Sequence, residues 1–448
     1  MRKILFTLLL GFLSQISFSQ QAIIRNPQIA EMVGEVSADS LKKYIYELTS
    51  FNSRHTLNTN TENGMPAAQR YVLSKFQGWA KASGGRMSAE IEEFVTPGDG
   101  RRIKEDAKVA NVVATLKGTN PNDNRVFIVS AHLDSRNRDV MDAEGAAPGA
   151  NDDGSGVALV MELARIMAKT EFSATILFVA FTGEEQGLKG ATYLADKAKE
   201  QGWNIEAVLN NDIVGNSESS GTLIKNNTQM RVFSETIPLA EDERAASIRR
   251  YTNADNDSKS RQLARYIKEV GERYVDQMEV KLIYRSDRFL RGGDQTPFMR
   301  NGYTAVRMSE MNENFIHQHE NVRVEDGIQY GDLPEFMDFE YLRKVSAVNL
   351  ASAASLANSA YMPQDVQIDV RGLSNHSILL WKAPQTGKVK GYYVLMRETS
   401  SSMWEKKFFT TETNLTLPYS KDNYFFAVQS VSEGGEESLP VFPSPLTR

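Results

Sequence analysis

Apolar positions change their rhythm three times along the chain. Leu41, Tyr44, Ile45 and Leu48 recur at helical spacing, and a second helical stretch follows in PAAQRYVLSKFQGWA. From residue 109 the pattern alternates. Short runs rich in β-branched residues (VANVVATLKG, RVFIVSAHLDS, ATILFVAF, EAVLNNDIVG) are separated by the helical stretches GSGVALVMELARIMAK and LKGATYLADKAKEQG. Strands of that kind, each followed by a helix, predict an α/β fold with a largely parallel sheet. Residues 216–280 are polar and charged except for one amphipathic helix carrying Leu263, Tyr266, Ile267, Val270 and Tyr274, which predicts an insertion with its own helices. VKLIY, DQTPFMRNG and TAVRMSE resume the alternation, and a long helix, FEYLRKVSAVNLASAASLANS, closes the domain near Ala360.

After a linker at MPQDV the texture becomes short strands with turn signals, as in HSILLWKAPQTGKVKGYYVLMRET, and residues 363–448 predict a small all-β sandwich. Two units fit a chain of 448 residues. The start, MRKILFTLLLGFLSQISFSQ, has a basic head, an apolar run and small residues, the pattern of a secretory signal peptide over residues 1–19. The mature protein is therefore expected to be exported, secreted or periplasmic, with no membrane span, since no later segment is apolar enough. Nothing in the sequence speaks to oligomeric state.

Composition narrows the chemistry. There is no cysteine, so disulfides and thiolate metal sites are excluded, and a transition metal must be held by His, Asp and Glu. The formal charge is -6 and becomes more negative once Arg2 and Lys3 leave with the leader, which disfavours a nucleic-acid partner.

Each strand of the α/β region ends in polar residues that a buried strand does not require. The first runs into His132 and Asp134, the next into Glu184 and Glu185, and a third into Asp212. In open parallel sheets the ligand crevice lies outside the carboxyl ends of the strands, so these side chains should converge. Asp152, in GANDDGSGVA at the head of a helix, belongs at the same mouth. Taken singly, Asp152 is a helix cap, the Glu pair a solvated loop and His132 a core histidine. Taken together at three successive strand ends, they point to a divalent-metal centre, because like charges gathered in one crevice raise one another's pKa unless a cation offsets them. Two metals need a shared ligand, and Asp152, among glycines that let the backbone turn, is assigned that role. Of the five histidines, His55 and His376 are expected at the surface, while NENFIHQHENV offers His317 and His319 as completing ligands.

SAHLDS, PGANDDGSGVA, FTGEEQGLKGA, NNDIVGN and FIHQHENV resemble, in order and spacing, the co-catalytic zinc aminopeptidases of peptidase family M28, over about residues 35–360 with 216–280 a poor match. The resemblance implies a phosphorylase/hydrolase-like α/β sheet with helices on both faces and two zinc ions. It places one zinc on His132, Asp212 and Asp152, the other on Glu185, His317 and Asp152, with Glu184 as general base and Asp134 orienting His132. His317 is preferred over His319 because the family commonly has an acidic residue four positions on, where Asn321 is nearer in kind than Arg323. GGDQTPFMRNGYTAV has Asp294-Gln295 where the family often reads Asp-His, a departure expected to bear on the substrate pocket. The implied activity is an exported metallo-exopeptidase acting at the N-terminal bond of peptide substrates. A carboxypeptidase, a glutaminyl cyclase, or an exported binding protein that has lost its activity are the alternatives, the last disfavoured because every ligand and base position is filled. The C-terminal segment resembles a fibronectin type III domain, with Trp381 and Tyr424 at core positions.

Overall fold

The short β-branched apolar runs become a sheet covered on both faces. The computed structural model describes residues 25–447, so the expected leader at 1–19 lies outside them. In chain order the strands are β1 (Met87–Thr96), β2 (Ala107–Leu116), β3 (Arg125–His132), β4 (Thr175–Phe181), β5 (Asn204–Asn211), β6 (Gln229–Phe233), β7 (Glu279–Ile283) and β8 (Ala305–Glu310), arranged β1-β2-β4-β3-β5-β8-β6-β7. The centre, β4-β3-β5-β8, is parallel as expected. An antiparallel β1/β2 hairpin extends one side, and β6 runs antiparallel to β8 on the other.

The helices are α1 (Pro27–Gly34), α2 (Ala38–Thr49), α3 (Met65–Ala80), α4 (Gly154–Met167), α5 (Lys189–Glu200), α6 (Glu243–Thr252), α7 (Lys259–Tyr274), α8 (Gln295–Arg300) and α9 (Phe339–Asn358). Alternate residues of β3 face opposite layers. Phe127, Val129 and Ala131 join a core with Val157 and Leu163 of α4, Leu263 of α7 and Val348 of α9, while Ile128 packs toward Leu194 of α5 and Phe298 of α8. Residues 216–280, expected as an insertion, contribute β6 to the main sheet and α7 to the main core. β6 is five residues flanked by polar loops, too short for its apolar Met230 and Val232 to stand out as a strand.

Residues beyond α9 form two facing sheets, after a small hairpin of β9 (Arg323–Glu325) and β10 (Ile328–Tyr330) that precedes α9. β11 (Gln364–Asp369), β12 (Ser377–Lys382), β15 (Asn414–Leu417) and β17 (Ser444–Leu446) make one sheet, and β13 (Gly391–Glu398), β14 (Lys406–Thr410) and β16 (Tyr424–Val431) the other. Leu379 and Trp381 from the first interleave with Tyr392, Val394, Phe426 and Val428 from the second, with Tyr424 at the margin. Among the described residues no helix is long and apolar enough to cross a membrane.

The sandwich is clamped to α7 through buried charge. Asp257 accepts from Arg265 of α7 at 3.1 Å and from Arg397 of β13 at 2.6 Å, with all three side chains almost wholly buried. Arg273 of α7 meets Glu437 at 3.0 Å beside it. Removing one member of such a cluster leaves the others charged and dry, which costs about 3–5 kcal/mol. Asp257→Ala is therefore expected to lower the unfolding free energy obtained from a urea titration by an amount in that range, read by circular dichroism, while Asp365→Ala, which breaks a surface pair with Lys382, leaves the urea midpoint as in the parent chain.

Candidate active site

The opening of α4 explains the adjacent carboxylates in GANDDGSGVA. Asp153 caps the helix through Gly156 N–H at 3.0 Å, and the same carboxylate accepts from the backbone N–H of His132 at 3.1 Å and of Ile213 at 3.2 Å. One buried side chain thus pins the head of α4 to the ends of β3 and β5. Gly156 has to be glycine, since a Cβ there would lie 2.5 Å from the Asp153 carboxylate. Asp332 performs the matching task for the neighbouring turn, accepting the backbone N–H of Asn151 at 2.9 Å and of Asp152 at 2.7 Å. With its main chain held on both sides, Asp152 is free to present its side chain to the crevice.

The turn after β4 is built the same way. Gly183 takes φ +92°, a conformation that side chains resist, and Asp134 accepts the N–H groups of Gly183 (2.8 Å), Glu184 (3.2 Å) and Glu185 (3.0 Å). That nest of three amides fixes where the two glutamates emerge.

Two clusters result, and Asp152 belongs to both. His132, Asp152 and Asp212 bring ligand atoms within 4.8 Å of one another, as do Asp152, Glu185 and His319. Asp152 Oδ1 is 3.2 Å from His132 Nε2, and Asp152 Oδ2 is 2.9 Å from His319 Nε2. His319 Nε2 also lies 2.6 Å from Glu185 Oε1. His132 donates Nδ1–H to the backbone carbonyl of Asp134 at 2.9 Å, which leaves Nε2 as the nitrogen that faces the acids and could bind a cation on losing its proton. Both clusters open on one cavity of about 590 Å³, which Glu184 also lines.

The electrostatics show a pocket that draws in positive charge. Burial opposes the imidazolium of His132, yet the hydrogen bond to Asp152 and the field of Asp153 raise its pKa well above the ordinary value. His319 is likewise buried, and Glu185 and Asp152 push it up to about 10. Burial works against the charged Glu185, but His319 pulls it down to about 2; Asp212, equally buried, is drawn down to about 2 by Arg307, 2.7 Å away. Glu184 goes the other way: burial raises it, helped by repulsion from Glu185 and Asp212.

The structure brings together His132, Asp152, Glu185, Asp212 and Glu184, as the strand ends predict. It corrects the placement of four other residues. His317, preferred as the last ligand, points away and stacks on Phe336 with ring centroids 3.7 Å apart, and His319, the alternate, takes the cluster position. His319 adopts φ +56°, and this left-handed turn aims its ring at the acids, a reversal that spacing within FIHQHENV does not disclose. Asp134 orients His132 through its carbonyl; its carboxylate is 3.8 Å from Nδ1 and serves the 183–185 turn instead. His55, expected at the surface, is fully buried against Val140 O and Gln186. Gln295 does not face the substrate cavity; it is buried and bonds Asp287 at 2.7 Å.

Residues that the sequence reading passed over surround the clusters. Arg136 bonds Glu185 Oε2 at 2.7 Å and lies 2.7 Å from His319 Nδ1, Arg307 bridges Asp212 and Asp287, and Gln318 donates to Asp152 Oδ2 at 2.9 Å. Arg136, two residues beyond Asp134 in SAHLDSRNRD, and Gln318, between the two histidines, are adjacent to recognised motifs; Arg307 lies inside the short strand β8 and carries no signal.

The profile of Peptidase family M28 matches residues 111–325. A probable zinc metalloprotease of Leptosphaeria maculans is 43% identical over 421 residues, which are 93% of this chain and 97% of that protein. The crystal structure of the LapA aminopeptidase of Legionella pneumophila superposes with a TM-score of 0.55 at 20% identity, covering 76% of this chain and 77% of the other. A Macrostomum lignano glutaminyl cyclase gives 0.53 at 15% identity, covering 75% and 94%. At such identities these likenesses establish the fold.

The two late histidines can be separated by metal titration. His319→Ala is expected to weaken or abolish zinc binding in calorimetry, whereas His317→Ala, whose ring only stacks on Phe336, binds zinc as the parent protein does. The reverse result would return the ligand role to His317.

Proposed function

The chain belongs to peptidase family M28, and from that membership we propose that it is a zinc-dependent aminopeptidase that removes N-terminal residues from peptides at a two-zinc centre. The observation that carries this reading is the split of one carboxylate between two clusters, Asp152 Oδ1 toward His132 and Oδ2 toward His319. The donors fit zinc: each cluster supplies one imidazole nitrogen and carboxylate oxygens with a vacant side toward the cavity, and the protein has no thiolate to compete. His132, Asp212 and Asp152 would hold one ion, and His319, Glu185 and Asp152 the other. When bound, such ions lower the pKa of water and stabilise negative charge on the scissile carbonyl oxygen.

Glu184 is the proposed general base. It lines the cavity beside Glu185, and its carboxylate is made more basic by burial and by its acidic neighbours. Glu185 differs although it is adjacent, because it lies within bonding distance of His319 and Arg136. Glu184 takes a proton from the attacking water and delivers it to the departing amine nitrogen, so that the carboxylate is regenerated as the peptide bond breaks. Asp134 acts through the turn it holds, keeping Glu184 and Glu185 at their separate stations.

Three measurements test this reading. Glu184→Gln is expected to lower kcat by roughly 10²–10⁴-fold while zinc content is unchanged; retention of most activity would move the base elsewhere. A defined peptide mixture followed by mass spectrometry should give ladders shortened from the N-terminus and abolished by chelator. Loss of C-terminal residues, or of ammonia from N-terminal glutamine, would replace the aminopeptidase by a carboxypeptidase or a cyclase. Zinc must also displace protons from two imidazoles whose pKa is raised, His319 to about 10. Apparent zinc affinity should therefore rise with pH from 6 to 8 in calorimetry, with proton release on binding.

A further inference from the structure

The catalytic crevice has more cations in its walls than its floor uses. Arg102, Arg136, Arg288 and Arg291 all line the same cavity as Asp152, Glu184, Glu185 and Asp212. Two of these arginines are already matched. Arg136 bonds Glu185 at 2.7 Å, and Arg288 lies 3.4 Å from Asp287 and 3.2 Å from Glu313. The other two are not. Arg102 donates to the backbone carbonyl of Glu185 at 2.6 Å and has no carboxylate within 4.0 Å among the described residues. Arg291 reaches only Glu313, at 4.0 Å, a side chain already shared by Arg231 and Arg288, and its own side chain is 38% exposed.

These cations stand on two separate, pre-shaped supports. Arg102 sits at the tip of the β1/β2 hairpin, where Asp99 accepts the N–H groups of Arg101, Arg102 and Ile103, and Ile103 is buried as an anchor. Arg291 belongs to the 284–294 loop, whose Asp287 is held by Arg307 and Gln295. Apolar Leu290, 92% exposed, and Phe315, 61% exposed, line the same cavity. Resting on the peptidase reading above, in which the zinc ions offset the four floor carboxylates, the surplus charge facing a substrate is positive.

We infer that Arg102 and Arg291 are specificity residues that bind a carboxylate of the substrate within two residues of the bond that is cleaved. Guanidinium groups pair with carboxylates in fork geometry, and neither of these two has a close carboxylate partner of its own in the crevice. The carboxylate has three possible sources: the side chain of the first residue, the side chain of the second, or the C-terminus of a short peptide. The selected substrates are short or acidic peptides.

Four peptides given to the zinc-loaded full chain separate these sources: Leu-Ala-Ala-NH2 as the neutral reference, Glu-Ala-Ala-NH2, Leu-Asp-Ala-NH2, and Leu-Ala-Ala with a free carboxyl terminus. Products are identified by mass spectrometry, and kcat and KM are measured separately. At least one carboxylate peptide should exceed the reference in kcat/KM by roughly tenfold or more, mainly through KM. In the double variant Arg102→Gln/Arg291→Gln that ratio should collapse toward one, Arg102→Lys should restore part of it, and the neighbouring exposed Arg101→Gln should leave it as in the parent. Equal kcat/KM for all four peptides, or a preference that survives in the double variant, overturns the inference while the peptidase reading stands. Hydrolysis of none of them overturns the peptidase reading and the inference with it.

Discussion

Three segments that are distant in sequence meet on the Asp153 carboxylate, and the site depends on that meeting. By accepting N–H groups from His132, Gly156 and Ile213 it ties the ends of two parallel strands to the start of a helix. These amides lie where regular hydrogen bonding stops, and buried donors left without partners cost about 1–3 kcal/mol each. The same contact that satisfies the backbone therefore sets the spacing of His132, Asp152 and Asp212. Chemistry and folding share one side chain here, and the two adjacent aspartates divide the work: Asp153 faces the backbone and Asp152 faces the crevice.

Much of this was legible in the chain. The parallel centre of the sheet, the helices on both faces and the two-sheet C-terminal unit follow from apolar periodicity, because β-strands and helices impose different repeats on any buried face. The convergence of His132, Glu184, Glu185, Asp212 and Asp152 follows from strand polarity, which puts the carboxyl ends of parallel strands on one edge. What could not be read depends on single backbone angles or on long-range partners. His317 and His319 are two residues apart in a loop without a repeat, so only the left-handed turn at His319 decides which ring enters. Asp134 was recognised as important, but whether its carboxylate or its carbonyl meets His132 is a matter of a few ångströms. His55 was assigned to the surface from its polar neighbours, and those neighbours are themselves buried, as Arg54 shows by donating to the carbonyls of Leu133 and Gly149.

The arginines follow a related logic. Arg54, Arg136 and Arg307 are spread through the sequence without a motif, yet each ends beside the turn or acid that the crevice needs fixed. Arg54 holds the 148–149 turn ahead of Asp152, and Arg307 braces Asp212 from behind while gripping Asp287 of the crevice lip. Arg54 and Arg307 are fully buried and reach these points from within the protein, whereas Arg136 meets Glu185 from the cavity wall.

The C-terminal sandwich, held to α7 by its salt bridges, also touches that lip. The carbonyl of Ser402, in a turn of the sandwich, accepts from Arg265 at 2.7 Å and from the hydroxyl of Tyr284 at 3.3 Å, and Tyr284 begins the loop that carries Arg288 and Arg291 into the crevice. A single carbonyl oxygen thus serves as a surveyor's mark for both units. The same oxygen is therefore a reference point for α7 and for the loop at the crevice lip, so the position of the all-β unit and the outline of the crevice mouth are defined from one place.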